Sequence, residues 1–451
     1  MAAPREFRGL WVATVANLDF PSHKGLSPDD ARAELAALVA AAADAGFNAL
    51  VFQVRPESDA LYASSLEPWS RYLTGHQGGD PGFDPLAALI EEAHAHAIEV
   101  HAWFNPYRAS AVAGAPCADT HVTKQLGGAV CPWGRVTWLD PGSPDVQQHT
   151  LDVIGDVVTR YDVDGVHLDD YFYPYPDGGR AFPDQASYRA YTAAGGDLDR
   201  DAWRRHNVDD LVRRISEAVA AARPGCRFGI SPFGIYRPGQ PAGIRGMDQV
   251  VALHADPMAW YDQGWVDYLA PQLYWSTKRQ AQRYDLLLDW WNEHMQPERP
   301  LLVGLDVTRV GKEAEWSLDE LRQQVTLSRG ADRTAGQIWF RATPVLKNQG
   351  GIADLAAELY AEPALPPAKP GFAVAPALPD LAVEAGAIAI AAPEAPVRAY
   401  VLYGGAEATP AAERILPPGT AQIEVEPGTW AVSAVGPGGV ESEAVRVVVG
   451  G

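Results

Sequence analysis

The chain of 451 residues is 47% hydrophobic and 21% charged, an ordinary globular composition with enough length for a large core. Its formal net charge of −21 argues against nucleic acid or an anionic membrane as partner, because both require patches of Lys and Arg. No apolar run reaches the roughly 20 residues of a membrane-spanning helix, so no membrane-spanning segment is predicted.

From the start to about residue 360, short apolar segments alternate with amphipathic ones. The apolar segments predict eight strands, at 7–15, 48–56, 99–107, 165–172, 227–234, 268–275, 301–307 and 336–341. Helices are predicted at 28–45, 84–97, 144–160, 201–222, 279–295, 317–330 and 344–360, with a less regular one near 247–264. Eight strands each followed by a helix predict an α/β fold, the (β/α)8 TIM barrel. A doubly wound open sheet is the competing fold, and the lack of a Gly-rich dinucleotide fingerprint after the first strand weakens it.

The composition changes after residue 360. Residues 363–379 form a Pro/Ala-rich linker, and 380–451 alternate short apolar runs with Gly and Pro, which indicates a small all-β sandwich. The predicted domains are therefore 5–362, a barrel, and 380–451, an accessory sandwich of the immunoglobulin or fibronectin type III kind.

The three cysteines of the chain are relevant to its cellular location, because disulfides are typical of exported proteins. Cys117 and Cys131 bracket a polar loop, which predicts a disulfide and an exported protein; two free thiols are the alternative. Cys226 lies beside a predicted strand and is expected to be a buried thiol. The first residues do not form a signal peptide, so this chain is expected to be a mature or trimmed form of an extracellular or envelope protein.

The segment DGVHLDDYFYP places two adjacent carboxylates at the end of the fourth predicted strand. By strand alternation, His167, Asp169 and Tyr171 face the barrel mouth, while Asp170 starts on the opposite face. A carboxylate there suits acid/base or nucleophilic chemistry, although an ion pair with Arg55 or Arg108 is also possible. Glycoside hydrolysis needs a second carboxyl group, for which the candidates are Asp170, Glu57, Asp256 and Asp306.

Two of these acids have simpler explanations. Asp256 precedes Pro257 and fits a helix cap, and Glu57 fits a solvated loop acid.

The ends of the other strands add amides, arginines and aromatic rings, which suit a polyhydroxylated ligand. The candidate substrate-binding residues are His167, Arg55, Asn105, Tyr107, Trp103, Trp11, Tyr171, Gln272, Tyr274 and Trp275, with Gln53, Arg108 and Ser231 at the same strand ends.

A metal site is not predicted. His94 and His96 are two residues apart on a helix and do not share a face, and familiar metal-ligand motifs are absent from the sequence. A metal could enter only if His101, His167 and Asp169 met inside the barrel. A serine hydrolase is disfavoured because G-x-S-x-G is also absent.

Together, FRGLWVATVANLDFPS, FQVRPESDALY, AWFNPYR, DGVHLDDYFYPYP, FGISPFGIYR and VDYLAPQLYW resemble the glycosyl-hydrolase-like family 10, over roughly residues 5–360. The resemblance implies an exported bacterial TIM-barrel glycosidase linked to cell-wall glycan, including strands stripped of peptides. The strand-4 motif of family 18 chitinases, D-G-x-D-x-D-x-E, is a weaker resemblance. Asp164, Gly165 and Asp169 match it, but Tyr171 stands where the acid Glu belongs, so the proton donor must come from elsewhere. The strand-4 nucleophile of alpha-amylases also matches Asp169 by position.

The sequence therefore predicts a glycoside hydrolase acting on a polysaccharide, with peptidoglycan glycan strands or a related amino-sugar polymer as substrate. Asp169 is expected to be the nucleophile or charge stabiliser, and Asp170 the general acid/base or its orienting partner. No cofactor is expected. A non-catalytic glycan-binding barrel and a metal-assisted polysaccharide deacetylase are the alternatives, and the sequence indicates no oligomeric state.

Overall fold

The computed structural model describes residues 2–384, 386–404 and 411–450. Eight parallel strands form a closed barrel in which each strand pairs with its neighbours in chain order and the last pairs with the first. They are β1 (Phe7–Val12), β2 (Ala49–Arg55), β3 (Glu99–Phe104), β4 (Gly165–Leu168), β5 (Arg227–Ile230), β6 (Tyr268–Leu269), β7 (Leu301–Asp306) and β8 (Thr334–Phe340). The predicted TIM barrel is confirmed.

Helices surround the barrel and bury its outer face. They are α1 (Pro28–Asp44), α2 (Arg71–Thr74), α3 (Pro85–Ala95), α4 (Val122–Gln125), α5 (Pro144–Arg160), α6 (Gln185–Ala193), α7 (Arg200–Ala222), α8 (Gln249–Ala252), α9 (Pro257–Asp262), α10 (Tyr284–His294), α11 (Leu318–Gly330), α12 (Ala342–Leu346) and α13 (Ile352–Leu359). Local sequence fixes several starts: the Ser27 hydroxyl accepts from the Asp30 backbone N–H at 3.1 Å, and the Asp84 carboxylate accepts from the Ala87 N–H at 3.0 Å.

The long loop after β3 contains a three-stranded antiparallel sheet that the sequence did not predict. Its strands are Arg108–Ser110, Val136–Leu139 and Val130–Trp133, in that spatial order. The helix predicted at 344–360 is also interrupted, because the backbone turns through positive φ at Asn348, Gly350 and Gly351 between α12 and α13.

The disulfide predicted between Cys117 and Cys131 is wrong in this structure, where both are free thiols. Cys131 lies in a strand of that antiparallel sheet, 4.0 Å from the Pro183 carbonyl oxygen, whereas the Cys117 sulfur lies 3.4 Å from the Thr123 hydroxyl. The two thiols thus have different neighbours, and the pair no longer supports export. Cys226 is buried, as expected.

The C-terminal part is a sandwich of two antiparallel sheets, which confirms the predicted all-β module. One sheet contains β9 (Leu381–Glu384), β10 (Ala387–Ile390) and β13 (Gln422–Glu424), and the other contains β11 (Ala399–Gly404), β12 (Ala411–Leu416), β14 (Gly428–Val435) and β15 (Val445–Val449). Ile388, Tyr400, Ile423 and Val432 belong to the core between them. The described part of the chain contains no helix long and apolar enough to cross a membrane.

The sandwich is attached to the end of the barrel where the strands begin. Arg398, next to β11, donates to Asp164 at 2.8 Å and to Asp162 at 2.7 Å, and Asp164 directly precedes β4. Residues 363–379 run along the same end, where Lys369 donates to the Cys226 carbonyl oxygen at 2.6 Å. The limits at 362 and 380 between the domains stay predictions, but the two parts are joined by specific polar contacts.

Candidate active site

A cleft of about 610 Å³ opens at the carboxyl ends of the barrel strands. This is the end at which TIM-barrel enzymes build their active sites. The cleft is lined by Trp11, Ala13, Val15, Leu18, Gln53, Trp103, Arg108, Asp169, Asp170, Tyr171, Ser231, Gln272, Tyr274 and Phe340. Aromatic rings and a few polar groups therefore surround two carboxyl groups.

Both Asp169 and Asp170 line this cleft, although strand alternation placed them on opposite faces. The reason is that β4 ends at Leu168, so neither Asp belongs to the strand and alternation no longer governs them. The two side chains are only 5% and 2% exposed. The second acid that glycoside hydrolysis requires is therefore available at the adjacent residue.

Asp169 is held by three N–H donors. The Trp103 indole donates to Oδ2 at 3.0 Å and the Asn105 amide to the same oxygen at 2.5 Å, while the Tyr171 backbone N–H reaches Oδ1 at 3.2 Å. Burial and then the charge of Asp170 raise the pKa of Asp169 to about 7, despite these donors. Because Oδ2 already accepts two hydrogen bonds, Oδ1 is the oxygen left to carry a proton.

Asp170 is held by different partners from those of Asp169. The Tyr175 hydroxyl donates a hydrogen bond to its Oδ2. Burial raises the pKa of Asp170 above the ordinary range, and hydrogen bonds from Tyr175 and Gln272 oppose that rise. Burial and the negative charge of Asp170 also raise the pKa of Tyr175, which keeps the phenol protonated as a donor.

A chain of amides fixes the orientation of Asn105. The backbone N–H groups of Thr14 and Val15 both donate to Gln53 Oε1 at 2.9 Å, so the Gln53 amide nitrogen must face the other way. That nitrogen donates to Asn105 Oδ1 at 2.6 Å, and Arg108 donates to the same oxygen at 2.7 Å. With Oδ1 committed, the Asn105 Nδ2 can only face Asp169.

His167 lies beneath the cleft and does not line it. Its Nδ1 is 3.0 Å from the Tyr268 hydroxyl, which is 2.9 Å from Nδ1 of His101, and the His167 Nε2 is 3.2 Å from the Ser231 hydroxyl. Trp11 can only donate, and its Nε1 is 3.4 Å from the same Nε2. Burial, with the charge of His101, lowers the pKa of His167 well below its usual value. A buried neutral His167 supports Trp11 and Ser231 from below.

Four other residues expected to bind substrate also do not line the cleft: Arg55, Tyr107, Trp275 and Asn105. Arg55 is fully buried and donates from Nε to both carboxylate oxygens of Glu67, at 3.0 and 2.9 Å, so it braces the loop after β2. Tyr107 is buried in the core, and Trp275 packs edge-on against Phe233 with ring centroids 5.6 Å apart. Asn105 acts through Asp169, whereas Trp11, Trp103, Tyr171, Gln272 and Tyr274 line the cleft as expected.

The remaining candidate acids are engaged elsewhere. Asp256 caps α9 by accepting from the Ala259 N–H at 3.2 Å, which was the alternative explanation from sequence. Glu57 is buried, not solvated, and its Oε2 is 3.1 Å from Arg71. Asp306 accepts from the Thr308 N–H at 2.9 Å and lies 3.0 Å from Arg309. These contacts leave Asp169 and Asp170 as the carboxyl groups that line the cleft.

Sequence reasoning missed several contributors to the site: Ala13, Val15, Leu18, Tyr175 and Phe340. Phe340 is the last residue of β8 and stacks on Tyr274 with ring centroids 5.7 Å apart. Its position at a strand end was the signal that could have found it. Tyr175 follows β4 in a loop, where no sequence periodicity indicates direction.

Within residues 2–384, 386–404 and 411–450, no three or more His, Cys, Asp and Glu side chains are grouped to hold a metal ion. His101 and His167 meet at the Tyr268 hydroxyl, whereas Asp169 is bonded to Trp103 and Asn105. The three residues considered as metal ligands from sequence therefore make separate contacts.

A (β/α)8 barrel with a buried carboxyl pair in an aromatic cleft has the features of a glycoside hydrolase. Residues 6–318 match the family described as Glycosyl hydrolase-like 10, and the chain belongs to that family. It is 40% identical over 384 residues to Glycosyl hydrolase YngK of Bacillus subtilis (strain 168), covering 81% of this chain and 74% of that protein. It is 35% identical over 373 residues to Glycosyl hydrolase DigH of Escherichia coli (strain K12), covering 76% of this chain and 84% of that protein.

Solved structures share the fold at low identity. The PgaB (BpsB) glycoside hydrolase domain from Bordetella bronchiseptica has a TM-score of 0.54 at 13% identity, covering 81% of this chain and 100% of that one. The catalytic domain of beta-amylase from Paenibacillus polymyxa has a TM-score of 0.53 at 12% identity, covering 80% of this chain and 98% of that one. The family match and the two curated relatives identify the protein as a glycoside hydrolase, and the solved structures show that its barrel fold is shared.

Proposed function

We propose that the protein cleaves glycosidic bonds within bacterial cell-wall glycan strands, with Asp169 and Asp170 as the reacting pair. The observation that carries the proposal is the burial of both carboxyl groups in one aromatic-lined cleft. The indoles of Trp11 and Trp103 and the phenols of Tyr171 and Tyr274 provide flat surfaces for the apolar faces of sugar rings. The choice of cell-wall glycan is supported by the strand-end motifs that the chain shares with its family.

The environments of the two acids suggest different roles. A carboxyl group with a pKa of about 7 is suited to give and take a proton at neutral pH, so Asp169 is proposed as the general acid, acting through Oδ1. Asp170, held by the Tyr175 hydroxyl, would remain ionised and stabilise the positive charge that develops at the anomeric carbon. The sequence predicted Asp169 as the nucleophile or charge stabiliser and Asp170 as the general acid/base, so this assignment exchanges the two roles.

The reaction transfers one proton from Asp169 to the leaving glycosidic oxygen as the bond to the anomeric carbon breaks. Water supplies the hydroxyl group that joins that carbon, and its remaining proton returns to the carboxylate pair. Burial and the charge of Asp170 raise the pKa of Asp169 to about 7, so Asp169 can hold a proton and release it near neutral pH.

The experiment is digestion of purified peptide-free cell-wall glycan, with mass spectrometry of the products and a count of new reducing ends. Wild-type protein should release shorter saccharides, and Asp169→Asn should lower kcat/KM by about 10²- to 10⁴-fold. An aryl glycoside whose leaving group needs no protonation should rescue Asp169→Asn but not Asp170→Asn. Asp256→Asn serves as the matched control, because Asp256 caps α9 outside the cleft. Binding of the glycan without any cleavage would instead favour a glycan-binding barrel.

Action on cell-wall glycan also requires the protein to leave the cytoplasm, and we propose that it does so. Fractionation of the native host with an antibody to this chain tests the location. Recovery in the cytoplasmic fraction alone would contradict both the location and the proposed substrate.

A further inference from the structure

A second cavity of about 870 Å³ lies beside the catalytic cleft. Its walls come from the loop after β1, from α1 and from α12, and neither reacting carboxyl group lines it. The Leu18 side chain lines both the second cavity and the cleft, so the two spaces meet at that residue. Leu18 is 40% exposed, which leaves apolar surface free for a ligand that spans both spaces.

The turn that carries Leu18 is held in an unfavourable backbone conformation. Ala16 and Asn17 have φ angles of 56° and 54°, in a region that residues other than glycine seldom adopt. Arg341, which follows β8, donates from Nη1 to the Leu18 carbonyl oxygen at 2.6 Å and to Asp19 Oδ1 at 2.7 Å, so it fixes the turn against the barrel. Backbone strain of this kind is concentrated at ligand-binding sites, where surrounding contacts maintain it. The position of Leu18 between the two spaces is therefore imposed by the fold.

The side-chain amide of Asn17 provides a fixed hydrogen-bond acceptor in the second cavity. Its Nδ2 donates to the Pro21 carbonyl oxygen at 3.0 Å and to the Tyr72 carbonyl oxygen at 2.9 Å, so both of its N–H groups are committed. Its Oδ1 accepts no hydrogen bond from the residues that the structure describes, and it is not sealed from solvent. Because Asn17 lines the cavity, this oxygen is available to a hydroxyl or amide N–H of a ligand.

The remaining walls of the second cavity suit an uncharged sugar ring. Phe20 and Leu38 provide apolar surface. Glu34 and Lys347 carry opposite charges, and Asp19 is paired as described above, so the lining has no excess of unpaired charge. Apolar surface with a few fixed polar groups is the usual lining of a site for a small organic ligand.

We propose that the second cavity is a distal sugar-binding subsite, which holds a neutral ring of the same glycan chain that is cleaved between Asp169 and Asp170. The proposal rests on the proposed function and adds to it a binding site outside the cleft. That the occupant belongs to the same chain follows from the continuity of the two spaces at Leu18. The apolar face of a sugar passes over Leu18, and a hydroxyl or N-acetyl N–H of the next ring donates to Asn17 Oδ1. A longer chain therefore gains contacts that a shorter one cannot make.

The test uses oligosaccharides of increasing length, separated by chromatography from peptide-free cell-wall glycan. The length ratio is kcat/KM for the longest oligosaccharide divided by kcat/KM for the shortest one that is cleaved. It should be about tenfold in the wild type, the effect of covering part of one leucine side chain. Ala37 is exposed on α1 and lines the second cavity, so the indole of Ala37→Trp should fill that space and bring the length ratio near one. Taking the ratio within each variant cancels any general effect on activity.

Ala40→Trp is the matched control, because Ala40 is equally exposed on α1 but does not line the second cavity. It should retain the length ratio of the wild type. If Ala37→Trp does not fold, Ala37→Met and Ala40→Met replace the pair, since Met is a good helix former.

A wild-type length ratio near one would overturn the inference and leave the proposed function standing. A full length ratio in Ala37→Trp would also overturn it, because the extra contacts would then lie elsewhere. If the wild type cleaves none of the oligosaccharides, the proposed function fails, and calorimetry with the same set decides the inference. Tighter binding of the longer chains that is lost in Ala37→Trp supports the subsite, whereas equal affinity for all lengths, or no binding, rejects it.

Discussion

The side-chain amide of Asn105 donates a hydrogen bond of 2.5 Å to Oδ2 of Asp169. Asn105 cannot rotate to present its oxygen instead, because Gln53 and Arg108 both donate to that oxygen. The contact favours the ionised form of Asp169, whereas burial and the charge of Asp170 favour the protonated form. The pKa near 7 is the balance of these opposing effects.

Replacing Asn105 should shift the pH dependence of catalysis. In Asn105→Ala the carboxylate loses a donor, so the pKa of Asp169 should rise by about one unit, consistent with a hydrogen bond to a charged group. If Asp169 is the general acid, the alkaline limb of the kcat/KM profile moves to higher pH as the maximum falls. Gln53→Glu should shift the same limb, because glutamate cannot donate to Asn105.

Asn207→Ala is the control for this shift, since Asn207 is buried in α7 and reaches only Tyr173, with no contact to the cleft. Its profile should superpose on that of the wild type. An unchanged alkaline limb in Asn105→Ala would show that Asp169 is not the group reported by that limb.

The hydroxyl group of Tyr175 should matter to catalysis through Asp170. Tyr175→Phe removes the donor that lowers the pKa of Asp170, so that pKa should rise and the acidic limb of the profile should move to higher pH. We expect kcat to fall by about tenfold, the size of one hydrogen bond to a charged group. Tyr188→Phe, which loses only a bond to the Leu198 carbonyl oxygen, should retain full activity.

The buried acid at Asp169 should make stability depend on pH. Its pKa rises from 3.8 in the unfolded chain to about 7 in the folded protein, so the folded state binds the proton more tightly. The resulting penalty is absent below pH 4, grows as the pH rises towards 7 and is then constant, reaching at most about 4 kcal/mol.

Asp169→Asn removes this penalty, so its Tm relative to the wild type should increase by a few degrees between pH 5 and pH 8. Thermal unfolding followed by circular dichroism at the two pH values measures the difference. The effect of ionisation is the change in this Tm difference between the two pH values. Any effect of the amide on packing is the same at both pH values and therefore cancels. A constant Tm difference would show that Asp169 is ionised throughout this range.

The ion pairs of Arg398 should contribute to the attachment of the sandwich. Arg398→Ala leaves Asp164 buried without one of its cations, and losing one partner of a buried pair typically costs about 3 to 5 kcal/mol. Calorimetry should show a lower Tm and earlier unfolding of the sandwich, whereas Arg446→Ala, an exposed change in the same module, should not.

The same ion pairs should weaken in acid. His94 and Arg398 hold the pKa of Asp164 well below its usual range, against the effect of burial. That stabilisation is fully present above about pH 4 and is lost as the pH falls through the lowered value, so the gap between the wild type and Arg398→Ala should narrow in strong acid. An undiminished gap would mean that Arg398 acts through packing alone.

The sequence allowed the barrel to be predicted because its signals are local. The amphipathic pattern predicted a helix at 144–160, and these are the observed limits of α5. In contrast, β6 was predicted at 268–275 and spans only Tyr268–Leu269, since Pro271 has no N–H to donate and pairing resumes only as isolated bridges at Gln272. Local patterns report apolar segments well and report the ends of strands poorly.

The site was harder to predict because it depends on contacts between distant segments. Alternation predicted the direction of Asp169 correctly and that of Asp170 wrongly, and it governs neither residue because both lie beyond Leu168, where the strand ends. The hydrogen-bonded chain from Thr14 through Gln53 to Asn105 joins the carboxyl ends of three strands, and nothing in any one of these segments indicates the others. Arg55 and Tyr107 were expected in the cleft because of their chemistry, but their side chains turn into the core.

The contact between Arg398 and Asp164 places the two ends of β4 in different surroundings. Five residues of extended chain, about 16 Å, separate Asp164 at the covered end from Asp169 at the open end. The sandwich is thus on the side of the barrel away from the cleft and leaves the approach to the carboxyl pair unobstructed. A large polysaccharide can therefore approach the carboxyl ends of the barrel strands without displacing the sandwich.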